Sequence, residues 1–85
     1  MAYEVEFTTS AAKEFRNLER TIQKRILKKV EPLSVNPRPS GSKKLVGSED
    51  SYRIRIGDYR VVYEVNDGTL TVLVMRVRHR REVYQ

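Results

Sequence analysis

No cysteine occurs in this chain, so a disulfide, a thiolate metal site and a cysteine nucleophile are all unavailable. Tryptophan is absent, histidine occurs once, and there is no paired-carboxylate motif. Together these point away from an all-protein metal site, and no cofactor is expected. Long hydrophobic runs are missing as well. The longest is Val72–Met75, and Met1-Ala2-Tyr3-Glu4 does not read as the start of a signal peptide. The expectation is a soluble cytoplasmic protein with no membrane partner.

Acidic residues are the scarcer sign: eleven face seventeen lysines and arginines, a formal charge of +6 over 85 residues. That balance favours a polyanionic partner, nucleic acid or an acidic protein segment. Residues 1–85 make one domain, which buries roughly three-fifths to two-thirds of its unfolded surface.

Tyr3-Glu4-Val5-Glu6-Phe7 alternates apolar and charged residues, the pattern of a half-buried strand. Thr8, Thr9 and Ser10 offer N-cap oxygens to a short helix. Its apolar positions are Ala11, Ala12, Phe15 and Leu18, and it is expected to end near Leu18 or Glu19. Thr21 is the expected cap of a second helix, with Ile22, Ile26, Leu27, Val30 and Leu33 inward and Lys24, Arg25, Lys28 and Lys29 outward. Such an outer face is ordinarily just solvated; the alternative is a second surface for nucleic-acid backbone. Pro32 lacks an amide donor and crowds the carbonyl of Lys28, so regular helix should stop or bend between Lys29 and Leu33. After the turn-rich loop 36–42, strands are expected at Lys43–Gly47 (a short edge), Tyr52–Ile56, Tyr59–Asn66 and Thr69–Arg78. The order β-α-α-β-β-β-β implies an α+β fold, two N-terminal helices packed on one face of a twisted, mainly antiparallel sheet.

The last three strands sort the side chains. A two-residue turn at Gly57-Asp58 pairs Ile56 with Tyr59, Arg55 with Arg60 and Arg53 with Val62. A second such turn at Asp67-Gly68 pairs Asn66 with Thr69, Val62 with Leu73 and Arg60 with Met75. One face then collects Tyr52, Ile54, Ile56, Tyr59, Val61, Tyr63, Val65, Leu70, Val72 and Val74, a core. The other collects Arg53, Arg55, Arg60, Val62, Leu73, Met75, Val77 and, at its edge, His79. Like charges directly opposite each other destabilise a sheet, so the pair Arg55 and Arg60 argues for an anion there.

Arginine presents planar, multiple donors and stays charged at any physiological pH, which suits phosphate. The tail adds Arg78, His79, Arg80, Arg81 and Tyr84. A binding protein uses such a cluster to neutralise a nucleic-acid backbone. A metal-free ribonuclease uses it too: the ribose 2′-hydroxyl attacks the adjacent phosphorus, and cations offset the growing charge. That chemistry also needs an acid and a base. His79 is the one side chain that titrates near neutrality unperturbed, and Tyr84 can donate a proton or stack on a base.

An ordered set of segments resembles the RelE branch of the RelE/ParE toxin superfamily. It comprises Tyr3–Phe7, Ala12–Leu18, Asn36-Pro37-Arg38, Lys44-Leu45-Val46-Gly47, Tyr52–Tyr63 and the ending His79–Tyr84, nearly the whole chain. The resemblance implies the toxin of a type II toxin–antitoxin pair that enters the ribosomal A site and cleaves the mRNA there without a metal. It also implies a cognate RelB-like antitoxin. Residue by residue, the family's basic strand pair corresponds to Arg53 and Arg55, its strand arginine to Arg60, its tail arginine best to Arg80, with Arg78 or Arg81 as the alternatives in this shorter tail, and its terminal tyrosine to Tyr84. Arg78, Arg81, Lys43 and Lys44 join as RNA-binding candidates. Well-studied members carry lysine where this chain has Arg53 and Arg55. Arginine does not lose a proton as lysine can, so His79 becomes the candidate base. A ParE-like gyrase inhibitor and a non-catalytic RNA-binding module are the alternative functions.

Overall fold

The computed structural model describes residues 2–79. Its elements are β1 (Glu4–Phe7), α1 (Thr9–Arg16), α2 (Arg20–Val30), a 3-10 turn (Glu31–Ser34), β2 (Lys43–Lys44), β3 (Ser51–Ile56), β4 (Tyr59–Asn66) and β5 (Thr71–His79). The strands form one sheet in the order β1-β5-β4-β3-β2. All pairings are antiparallel except β1 with β5, which is parallel. This is the expected α+β arrangement, and the partner of β1, open in the sequence, is the last strand.

Helix ends follow local chemistry in one case and packing in the other. The Thr8 hydroxyl accepts from the Ala11 amide at 3.1 Å and caps α1. At α2 the N-cap position is Glu19, which makes no side-chain capping bond, and Thr21 lies inside the helix. Gln23 instead donates to the carbonyl of Phe15 at 2.9 Å and ties the start of α2 to the end of α1. A cap contributes about 1 kcal/mol, and burying Ile26 and Val30 contributes more. The helix therefore begins where packing begins. Regular helix stops at Val30 and tightens into the 3-10 turn containing Pro32, as the missing amide requires.

The core lies between the helices and one sheet face: Ala11, Ile26, Val30 and Leu33 against Ile54, Ile56, Val61, Tyr63, Val65, Val72, Val74 and Val77. The β3–β4 register is the expected one, with Ile56 opposite Tyr59 and Arg55 opposite Arg60. Gly57 takes the positive φ (58°) that the first position of this hairpin turn demands. Its missing Cβ would lie 2.8 Å from Arg25 Nη2, the movable end of a long side chain, so backbone conformation is the larger penalty. Gly57→Ala is accordingly expected to cost about 1–2 kcal/mol, read as a lower urea midpoint; an unchanged midpoint would refute the assignment.

The β4–β5 hairpin departs from expectation twice. Its loop is four residues, Asp67–Leu70, with Asn66 opposite Thr71. Asn66 Oδ1 accepts from the Thr69 amide at 3.0 Å, Leu70 takes φ 51°, and the Leu70 carbonyl accepts from Glu4, docking β1. A slip of two residues keeps the paired strand residues on their faces, but Leu70, expected in the core, falls in the loop and is only half-buried. A β-bulge then adds one residue: Tyr63 pairs with Val74, but Val62 pairs with Arg76, so Met75 is extra. Beyond the bulge the faces reverse. Val77 turns into the core, 2% exposed, and His79 lies opposite Tyr59 on the helix side. Both were expected on the arginine face. β2 is also shorter than expected, two residues rather than five.

Candidate functional site

The reversal builds a site that no single turn assignment contains. Directly opposed residues share a face, so Arg55, Arg60 and Arg78 stand in one lateral row across β3, β4 and β5. The adjacent row runs Lys43, Arg53, Val62 and Arg76 from β2 to β5. Neighbouring strands are about 4.8 Å apart. Six cations are thus gathered on one sheet face. Between them opens a concavity of about 250 Å³ lined by Gly41, Lys43, Arg53, Arg55 and Arg60. Arg60 is only 4% exposed, although it stands in the middle of the row.

The expected site residues divide. Arg53, Arg55, Arg60 and Lys43 line the concavity, and Arg78 closes the row from β5. Lys44 pairs with Tyr52 and so belongs to the other face of β2. His79 meets the Tyr59 ring edge-on, centroids 5.2 Å apart, also on the helix-side face. It does not share a face with the arginines. Arg80, Arg81 and Tyr84 lie outside the described residues. On α2, Arg20, Lys24, Arg25 and Lys28 surround a second hollow of about 460 Å³ in the helix layer.

Two groups of bonded side chains around the site were not legible in the sequence. One is Glu14 with Arg76: Glu14 Oε2 accepts from Arg76 Nη1 at 3.2 Å and from Arg78 Nε at 3.1 Å, and Oε1 accepts from the Val77 amide at 2.9 Å. The other anchors the loop 36–42. Arg38 donates from Nη2 to Asp67 Oδ2 (2.9 Å) and from Nε to the Tyr52 hydroxyl (2.9 Å), and its guanidinium sits 5.4 Å from the Tyr52 ring centroid. Tyr3 donates from its hydroxyl to Asp67 Oδ1. The hydrogen bonds from Arg38 and then Tyr3 hold the Asp67 carboxyl below the usual carboxylate range. The bond to Asp67 pushes the Tyr3 phenol up. Tyr63, pushed up chiefly by burial, donates to the Pro37 carbonyl at 2.8 Å. These bonds fix the loop whose Gly41 walls the arginine concavity. Only Asn36-Pro37-Arg38 was visible beforehand, as a turn; its partners lie 14 and 29 residues away.

Chemically, an array of planar, permanently charged donors around an open concavity suits successive phosphates of a nucleic-acid strand, or a carboxylate-rich segment. Among the described residues, no three His, Cys, Asp or Glu side chains gather as metal ligands.

Comparison with known proteins gives concordant findings. The family profile described as "ParE toxin of type II toxin-antitoxin system, parDE" matches residues 5–84. The mRNA interferase toxin RelE of Escherichia coli (strain K12) is 39% identical, over 99% of this chain and 92% of that protein. The crystal structure of the isolated E. coli RelE toxin superposes with a TM-score of 0.84 at 37% identity, covering 98% of this chain and 92% of that one. The toxin in the archaeal RelE–RelB complex from Pyrococcus horikoshii OT3 gives 0.82 at 30% identity, covering 94% and 97%.

Proposed function

The chain belongs to the RelE/ParE toxin superfamily, on its RelE-like branch, as the toxin of a type II toxin–antitoxin system, and on that premise we propose that it is a ribosome-dependent mRNA endonuclease. In this reading it acts in the A site and without a metal. The observation that carries the reading is the lateral row Arg55, Arg60 and Arg78 beside a concavity walled by Arg53, Lys43 and Gly41. Glu14 offsets the charge of Arg78 from the helix side, and a polyanion crossing the strands would meet the row's guanidinium groups from the open face.

In the proposed reaction the 2′-oxygen forms a bond to the adjacent phosphorus as the bond from phosphorus to the 5′-oxygen breaks. The 2′-hydroxyl proton passes to a base, and the leaving oxygen gains one. The products are a 2′,3′-cyclic phosphate and a 5′-hydroxyl. Negative charge on the phosphoryl oxygens grows on the way, and fixed guanidinium groups stabilise that state more than the ground state. Arg60 and the tail's Arg80 are assigned to the scissile phosphate, Arg53 and Arg55 to its neighbours, with Arg78, Arg81 and Lys43 flanking. Tyr84 is the assigned proton donor or stacking group. His79 lies on the opposite sheet face against Tyr59, so in this reading the base that takes the attacking hydroxyl's proton belongs to the ribosome, the RNA or solvent.

An antitoxin of RelB type is the proposed protein partner, in line with the toxin–antitoxin complexes among structures of this fold. The matching profile carries the ParE name, which gives a gyrase inhibitor specific support. Full-length relatives named as mRNA interferases favour the nuclease. Mapping mRNA 5′ ends after tightly controlled expression decides between them. Ribosome-bound fragments with 5′-hydroxyl ends are expected; intact mRNA with stalled gyrase–DNA complexes would replace this reading by the other.

A further inference from the structure

β1 covers the outer edge of β5 only as far as Val74, opposite Phe7. From there the start of α1 takes over. The Thr8 amide donates to the Val74 carbonyl at 2.9 Å and the Thr8 hydroxyl to the Met75 carbonyl at 3.2 Å. Consecutive carbonyls therefore point to the same edge, the mark of the bulge. The next group on that edge, the Val77 amide, has no strand to meet. It meets Glu14, two turns into the same helix, at 2.9 Å.

The carboxylate's other oxygen does a second task. It accepts from Arg76 and Arg78, the two arginines that the bulge turns onto the open face. Arg78 stands opposite Arg60, so its charge would otherwise oppose a buried like charge across one strand spacing. Glu14 is part-buried, its side chain 22% exposed, which limits solvent screening of these contacts.

We propose that Glu14 is a positioning residue of the arginine site. By standing in for the missing strand at Val77 and neutralising the Arg76–Arg78 pair, it holds the reversed end of β5, so that Arg78 stays opposite Arg60. Glu14 touches no substrate in this account; it acts through Arg78 and the strand end. The catalytic part of the inference rests on the nuclease reading, whereas the structural part stands alone.

The experiment uses the full chain with Glu14→Ala and Glu14→Gln. Three quantities are read: amide hydrogen exchange at Val77 and at Val72, affinity for a short single-stranded oligoribonucleotide, and single-turnover cleavage on saturating programmed ribosomes. In Glu14→Ala, exchange at Val77 is expected to quicken about tenfold or more while Val72, still paired with Val5, keeps its protection. Cleavage should slow about tenfold, yet oligonucleotide affinity should hold or rise, because a negative charge near the site is gone. Glu14→Gln retains an acceptor for Val77 and should restore most of its protection while leaving the arginines released. Unchanged exchange at Val77 in Glu14→Ala overturns the structural claim. A cleavage rate that rises with affinity reduces Glu14 to a repelling charge and overturns the positioning role. If Glu14→Ala loses protection at Val72 too, Glu14→Gln decides: Val77 protected with cleavage slowed about tenfold upholds the positioning role, and parental cleavage with the arginines released overturns it. Should the parental chain fail to cleave ribosome-bound mRNA, the nuclease reading is what has failed, and exchange at Val77 still tests the strand clamp.

Discussion

Replacing Arg60 by alanine is expected to lower the single-turnover rate of mRNA cleavage on programmed ribosomes by about two decades, equivalent to about 3 kcal/mol of transition-state stabilisation. Arg60 is the central member of the row, flanked by Arg55 on β3 and Arg78 on β5, and it is 4% exposed. A charge held in that setting is fixed before the phosphate arrives, so no reorganisation cost falls on the reaction. It also acts where water screens little. Arg60→Lys should recover only part of the loss, since one compact ammonium replaces a planar fork. His79→Gln should fall far short of it, because His79 lies on the other face against Tyr59. The measurement is made at saturating ribosomes, with each variant checked for folding. Parental cleavage by Arg60→Ala would mean that the open sheet face is not the active site.

A second large effect is expected in the core. Tyr63→Ala should cost about 3–5 kcal/mol, the range for removing a buried aromatic side chain. A domain of this size has only about 4–13 kcal/mol in total. Tyr63 is fully buried, stacked on Tyr52 with centroids 5.9 Å apart, and bonded through its hydroxyl to Pro37. Tyr63→Phe keeps the ring and loses only that bond, so about 1 kcal/mol is expected, with the Pro37 carbonyl left without its donor. Urea unfolding separates the two. Equal losses in both variants would show that the hydroxyl, and not the ring, holds this part of the core. Because the Pro37 bond anchors the loop that carries Gly41, Tyr63→Phe should also weaken oligoribonucleotide binding somewhat; the ring's packing alone predicts no such change.

The sequence by itself determined most of the framework, because the relevant physics was local. Alternation in Tyr59–Asn66 fixed which residues face the core, and the turn at Gly57 fixed the β3–β4 register through one positive φ. Pro32 fixed the end of α2 by lacking an amide. Arg53, Arg55 and Arg60 therefore share one face by local pattern alone. The resemblance carried by ordered short segments reached the family for the same reason, since those segments include the hairpin turn and the strand arginines.

Only the tertiary structure decided the far half of the site. A two-residue turn at Asp67-Gly68 was plausible locally, but Asp67 is drawn to Arg38 and Tyr3, and Leu70 is fixed by its bond to Glu4. The bulge at Met75 has no local signature. It exists because β1 ends at Phe7, and Thr8 and Glu14, more than sixty residues upstream, take over the edge of β5. One added residue exchanges the faces: His79 leaves the arginine side, while Arg76 and Arg78 join it. A period-2 pattern fixes sides only while pairing is uninterrupted, so the final placement of the cations belonged to contacts distant in sequence.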